Sequence, residues 1–379
     1  MTVHVLRAAA VASLIAAAVA CSRSAPATPA VVLNSSPPAA AVVEVTGLSS
    51  DVAAALDQPR TLEAWASILR VAVSADSPPV LGSYHVAGRT LRFTPAFPFD
   101  PGRQYEVRFD ASMAGGPVLT AVVGLPASTT APSTMVAAIY PSGDVLPENL
   151  LRMYVTFSAP MSAASGIGHL ELYGPDGVPV EGAFLPLDYE FWSPDRTRFT
   201  VFFDPGRVKR GILPNRQSGR ALVRGGRYTL VVKATWRDAN GLPLKQEFRK
   251  TFTAGPADMQ PLDTAEWRIQ PPATGSRAPF SVQFPEALDH GLLTRALGVH
   301  RAGKSIDGDS RVEDGETRWT FTPREPWSAG RYELTALSIL EDRAGNQIGR
   351  AFEVDNFEAV DKSPDPQTVA VGFEIGGGE

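Results

Sequence analysis

A chain of 379 residues is too long for one small domain and fits two or three of ordinary size. Hydrophobic residues at 44% and charged residues at 20% leave enough apolar material for a core in each, which excludes wholesale disorder, while 33 Gly and 33 Pro interrupt the chain too often for long helices. The net charge of −5 gives the molecule as a whole no reason to seek nucleic acid.

The first segment, 1–20, reads as a signal peptide: Arg7 supplies positive charge, and Ala8 to Ala20 form an apolar run too short to span a bilayer comfortably. The run ends in Ala18-Val19-Ala20-Cys21, and this cysteine has no other in the chain to pair with. The arrangement resembles bacterial lipoprotein signals, in which small residues precede a cysteine whose thiol is diacylated before cleavage. That resemblance implies lipid attachment at Cys21 and a membrane partner, although Ala18 stands where Leu is usual. The plainer alternative is an ordinary secretory cleavage site at Ala18-x-Ala20. Ser22 resembles the sorting rule for the outer membrane. Residues 21–41, rich in Ala, Pro and Ser, read as a semi-extended tether.

Beyond the tether one pattern occurs three times. Leu91-Arg92-Phe93-Thr94-Pro95 precedes Gly102-Arg103-Gln104-Tyr105, and Trp319-Thr320-Phe321-Thr322-Pro323 precedes Gly330-Arg331-Tyr332. The middle copy runs Val201-Phe202-Phe203-Asp204-Pro205, then Gly226-Arg227-Tyr228 after a longer insert. Each half alternates apolar and polar residues, as a strand with one buried face does, and Pro and Gly close each strand into a turn. Tyr105, Tyr228 and Tyr332, each opening a strand after a turn, match the tyrosine corner of immunoglobulin-like sandwiches. The fold class expected is therefore all-β, three tandem immunoglobulin-like β-sandwich domains at 42–125, 135–255 and 265–357, with linkers at 126–134 and 256–264 and a tail at 358–379. The first copy differs in an insert, Thr61 to Leu69, that reads as a short helix.

The second and third copies share more. Tyr140-Pro141-Ser142-Gly143, Phe157-Ser158-Ala159-Pro160-Met161 and Asp238-Ala239-Asn240-Gly241 have counterparts in Phe284-Pro285-Glu286-Ala287-Leu288 and Asp342-Arg343-Ala344-Gly345-Asn346. This order resembles the bacterial Ig-like domain of the SbsA type, described in surface-layer proteins, strongly over 137–255, well over 265–355 and faintly over 42–125. The resemblance implies an exported adhesive or scaffolding module of the cell envelope, and no activity.

Several signals look chemical. Gly298-Val299-His300-Arg301-Ala302-Gly303-Lys304-Ser305 satisfies the phosphate-loop pattern, but the turn-forming Ile306-Asp307-Gly308-Asp309 that follows cannot start the helix such a loop needs, so a β-hairpin is expected and nucleotide binding is not. The Asp-x-x-Gly-Asn turn could place oxygens around calcium, or its Asp could bond its own backbone; the two readings stay open, and no metal or cofactor is assigned. His85, His169, His290 and His300 show no ligand spacing. Asp188, Glu190 and Asp195 around Trp192 offer a carbohydrate-active alternative, a carboxylate pair beside a stacking ring.

From Arg207 to Arg237 nine basic residues occur without an acid. Arg207, Lys209, Arg210, Arg216 and Arg220 could form an edge for an anionic polysaccharide, against the blander reading of a solvated loop. Together these features point to a non-catalytic, lipid-anchored envelope module that is structural or ligand-binding.

Overall fold

The computed structural model describes residues 28–37, 40–163, 166–187, 189–204, 219–352 and 368–376. Cys21, Asp188, Arg207, Lys209, Arg210 and Arg216 lie outside the described residues.

Alternation dictates the strands. In β6 (Gln104–Asp110) the side chains of Tyr105, Val107 and Phe109 are buried while those between them are exposed. The first domain pairs β1 (Ala30–Asn34), β2 (Val42–Thr46), β5 (Thr90–Pro95) and β4 (Gly82–Ala87) in one sheet, and β3 (Leu69–Ala72), β6 and β7 (Val118–Gly124) in the other. In immunoglobulin letters this is A-B-E-D against C-F-G, the seven-strand arrangement. Two helices bridge strands B and C: α1 (Ser50–Leu56), capped by Ser49, and α2 (Leu62–Ile68), capped by Thr61. Seven residues cannot hold a helix in water. Here Val52, Ala53, Leu56 and Trp65 bury into the domain core, and Trp65 stacks on Tyr84 with ring centroids 5.2 Å apart.

The second domain has β8 (Val136–Tyr140), β10 (Arg152–Phe157), β13 (Arg198–Phe202) and β12 (Phe191–Trp192) in one sheet. Its other sheet holds β11 (Leu170–Tyr173), β14 (Arg227–Val232) and β15 (Phe248–Gly255), with β9 (Val145–Pro147) added parallel to β15. Its core centres on Trp236, which is fully buried against the rings of Phe157, Trp192 and Phe199. The third domain joins β16 (Arg268–Gln270), β17 (Phe280–Gln283), β21 (Arg318–Pro323) and β20 (Gly308–Glu313), and opposes them with β19 (Lys304–Ser305), β18 (Leu297–Arg301), β22 (Gly330–Leu337) and β23 (Thr368–Ile375). Each domain packs its own hydrophobic cluster, so the chain is three β-sandwiches in tandem.

The outer boundaries differ from those read in the sequence. Residues 30–34, assigned to the tether, are β1 and pair with all of β2. Residues 368–375, assigned to the tail, are β23 and pair with β22 along its whole length. Both are edge strands beside Pro- or acid-rich sequence, where period-two alternation is short and the flanking composition masks it.

The phosphate-loop look-alike is a hairpin. Arg301 pairs with Lys304, and the turn residues Ala302 and Gly303 both have positive φ, 48° and 75°, as a two-residue type I′ connection requires. Strand β20, not a helix, follows.

All three tyrosines open strand F. The Tyr105 hydroxyl accepts from Asp100 N (3.1 Å), Tyr228 from Val223 N (2.8 Å) and Tyr332 from Ser328 N (3.2 Å) while donating to Ser328 O (2.9 Å). Each bond returns four or five residues upstream and ties the E–F connection to the strand.

Candidate functional site

The strands deliver their loops to two ends of each sandwich. The B–C, D–E and F–G loops of the second and third domains abut the preceding domain, and at the same end of the first domain α1 and α2 occupy the B–C connection. The functional geometry of the chain therefore concentrates at two junctions.

At the first junction Asp100, in the E–F loop of the first domain, is buried. Its Oδ2 accepts from the Arg103 guanidinium (3.0 Å) and from the Ser162 hydroxyl of the second domain. Arg103 also donates to Ser162 Oγ (2.6 Å) and Ala163 O (2.7 Å). Arg196, in the D–E turn of the second domain, approaches Asp100 Oδ1 at 3.8 Å and lies over the Phe97 ring at 5.2 Å. Gly241 completes the seam. A Cβ there would run into the Pro101 carbonyl, and its φ of +75° suits only glycine without strain.

The second junction repeats the plan with more charge. Arg152, on β10, donates to Asp289 Oδ2 (2.8 Å) and to Glu341, all three side chains being largely buried. The Tyr154 hydroxyl donates to Asp289 Oδ1 (2.6 Å), an oxygen that also caps α3 (His290–Leu293) by accepting from Leu292 N. His290 stacks on Tyr140, their centroids 3.4 Å apart and their planes within 10°. Ser142 N donates to Glu316 (2.9 Å), and Phe352 of the third domain packs against the core of the second. Burial raises the Tyr154 hydroxyl well above its ordinary range, and the adjacent Asp289 charge adds to this.

The acidic turns serve these seams. Asp238 accepts from Asn240 N and Leu242 N, and its other oxygen accepts from Thr134 in the linker. Asp342 accepts from Ala344 N, Asn346 N and Asn346 Nδ2, so each Asp bonds its own turn. Carboxylate oxygens of Asp342, Asp258 and Glu286 lie within 4.8 Å of one another. Burial and the neighbouring Asp258 push Glu286 up to about 8, and burial pushes Asp342 up to about 6. Raised folded values mean that the folded chain keeps protons which the unfolded chain releases. The contribution of this cluster to stability should therefore fall as pH rises from about 4.5 to about 8 and level off above that. Glu286→Gln should flatten this slope in thermal melts taken between pH 5 and 8; equal slopes in both proteins would contradict the assignment.

A cavity of about 260 Å³ opens at the first junction. Pro79, Leu81, Phe97 and Phe99 wall it from the first domain, and Leu187, Tyr189, Phe191 and Trp192 from the second, with Asp100, Glu190 and Arg196 as polar members. Glu190 and Trp192 thus share one concavity. Both Glu190 oxygens are already engaged, one by Gly166 N and the other by Trp192 Nε1 (2.8 Å). Asp195 lines a different groove, beside Thr156 and Arg198, and accepts from Ser193 and Thr197, which hold its carboxyl below the usual range. Glu190 and Asp195 are therefore not brought together as the opposed pair that glycoside hydrolysis requires.

The basic segment is partly spent inside the fold. Arg220, read as part of an anion-binding edge, has a largely buried side chain paired with Glu148 at 2.6 Å; Glu148, which follows β9, also receives Arg224 N, so the E–F loop is tied to the end of that strand. Lys233 pairs with Glu171, and Arg237 donates to Gly241 O. The junction residues Arg152, Asp289 and Glu341 carried no sequence signal: each is a charged residue where a solvated one would look the same.

No family model and no curated protein sequence matches the chain. Among solved structures, the chicken CNTN1 FN1-FN3 domains align over 93% of this chain and 100% of that one, at 13% identity and a TM-score of 0.20. Native alpha-2-macroglobulin from Escherichia coli, spanning domains MG0-NIE-MG1, aligns over 82% of this chain and 92% of that one, at 11% identity and a TM-score of 0.20. Domains 4–9 of the surface layer protein SbsC align over 89% of this chain and 42% of that one, at 11% identity and a TM-score of 0.21. The sandwich assignment rests on the strand order described above.

Proposed function

We propose that the chain is an exported, non-catalytic module of the cell envelope, built of SbsA-type Ig-like domains, lipid-anchored at Cys21 in the outer membrane, and acting as a stiff arm that presents its surface at a fixed orientation. The observation that carries this reading is the construction of the two junctions. Domains joined only by a linker move relative to one another by default. At the first junction Asp100 and Arg103 bond Ser162 and face Arg196 across a glycine seam, and at the second Arg152 pairs with Asp289 beside a stacked His–Tyr pair, contacts that support a fixed seating of each domain on the next. The helices α1 and α2 support the same reading, since they cover on the first domain the end that the later domains use for docking, as a capping unit does at the start of a repeat array.

The sequence resemblance at Ala18-Val19-Ala20-Cys21 supplies the anchor. Among the described residues no helix is long and apolar enough to cross a membrane. Arg207, Lys209, Arg210 and Arg216 remain the proposed edge for an anionic polysaccharide. The anchoring part is tested by Cys21→Ser, which should move the protein from the membrane fraction to the soluble one, because acyl chains provide the apolar attachment. Continued membrane association of the processed, unlipidated variant would refute it.

A further inference from the structure

On the reading that Cys21 carries the lipid, we propose that the helix-capped end of the first domain lies against the phospholipid surface holding that lipid, with Leu62, Met113 and Val118 set into the headgroup region. The topology decides which end this is. β1 enters the domain at Ala30, which pairs with Thr46 just before α1. β3, which follows α2 directly, begins at Leu69 opposite Phe109, and β7 begins at Val118 opposite Asp110. The N-terminus, both helices and the F–G loop therefore share one end. The E–F loop, whose Asp100 and Pro101 meet the second domain, lies at the other.

The strand β1 leaves only a short tether. Eight residues, 22–29, separate Cys21 from Ala30, and they span at most about 30 Å. The headgroup region on each side of a bilayer is about 5–7 Å deep, so a lipid on Cys21 holds this end of the domain close to its own leaflet. Tethering makes the contact intramolecular, and an apolar surface too small to bring a free protein to lipid is then sufficient.

Three separate elements supply that surface. Leu62 of α2, Met113 of the F–G loop and Val118 of β7 are 58, 101 and 53% exposed. An ordered turn holds Met113 outward: Ser112–Ala114 form one turn of 3-10 helix, Asp110 Oδ1 accepts from Ser112 N (3.2 Å) and Oγ (2.6 Å), and Gly116 N donates to Ala111 O (2.8 Å). The loop is seated on α1, since a Cβ on Gly116 would meet Val52 Cγ2 at 3.1 Å. A fully exposed Met at the apex of a fixed turn buries nothing in the fold, whereas insertion among headgroups removes it from water.

Charge does not supply the attraction. Asp51, Asp57 and Glu63 are exposed at this end. Arg60 and Arg89 direct their guanidinium groups to backbone carbonyls, Arg60 to Leu56 O and Ala55 O and Arg89 to Leu48 O. The contact is therefore apolar rather than a basic patch on anionic lipid, and salt should leave it unchanged.

The test uses the full chain, made with its signal peptide, purified in detergent and placed in phosphatidylcholine vesicles. Met113→Cys carries an environment-sensitive dye at a position whose exposure keeps folding out of question. Flotation of the vesicles reads the anchor, and quenching by a nitroxide near the headgroup end of the acyl chain reads the contact. The chain should float, and its dye should be quenched at least about threefold more than one at the exposed Lys304→Cys of the third domain, equally at low and high salt. Adding Leu62→Glu should lower the quenching at least about twofold while flotation persists. Failure to float would refute the anchor and this contact with it. Flotation with no more quenching than at Lys304→Cys would overturn the contact and leave the anchor standing. So would a blue-shifted, unquenched dye, the sign of a second copy covering this end, quenching abolished by salt, or indifference to Leu62→Glu.

Discussion

A fragment of residues 264–357 should fail to fold, while 264–376 should fold. The shorter piece has every strand of the third sandwich except β23. That strand pairs with β22 over eight residues, and it brings Ile375, which is 1% exposed, together with Phe373, which stacks on both Tyr332 and Phe280. Losing one buried Ile or Leu side chain alone removes about 2–5 kcal/mol, and a domain of this size has about 5–15 kcal/mol in total. Removal of a whole strand also leaves the β22 edge unpaired, a template for aggregation. Amide dispersion in a proton–nitrogen correlation spectrum would distinguish the two fragments; a dispersed spectrum from the shorter one would show that β23 is dispensable.

The second large effect is expected at Arg152. Changing it to Met leaves the Asp289 and Glu341 carboxylates with their burial and without their cation. Removing one partner of a buried pair costs about 3–5 kcal/mol, mostly as an uncompensated charge. Urea unfolding of the full chain should show the loss, and it should come with separation of one transition into two as the second and third domains uncouple. The triple variant Arg152→Met, Asp289→Asn, Glu341→Gln should recover much of the difference, because no bare charge remains. An Arg152→Met curve that overlays the parent would mean that the contact is solvated and the junction is held by something else.

How much was legible beforehand depends on the kind of signal. The strands around Phe93, Phe203 and Phe321 and the three corner tyrosines were legible because alternation and turn chemistry are local. The hairpin at Ala302-Gly303 was legible because Ile306-Asp307-Gly308 rules out a helix there. β1 and β23 were not, since each is an edge strand whose pairing partner, not its composition, makes it a strand. The first domain showed the faintest repeat yet has the plainest seven-strand order; α1 and α2 replace its B–C loop, and its F–G connection has no counterpart of the acidic turn at 342–346. The site was the least legible part. Asp188, Glu190 and Asp195 were read, as the alternative, as a carboxylate pair beside Trp192 as a stacking ring, whereas the cavity that Glu190 and Trp192 line is completed by Phe97, Phe99 and Asp100 from another domain, more than eighty residues away in sequence. Contacts between domains leave no period in a sequence, and a charge destined for burial at a seam reads like any surface charge.

Small-angle X-ray scattering of residues 28–376 is the direct test of the locked arm. A single rigid particle with the structure's domain arrangement should fit the curve without an ensemble, and the largest dimension should stay the same between low and high salt, since the interdomain pairs Arg196–Asp100 and Arg152–Asp289 are shielded from bulk ions. A curve that only a mixture of bent and straight forms can fit, or a dimension that changes with salt, would mean that the junctions are hinges.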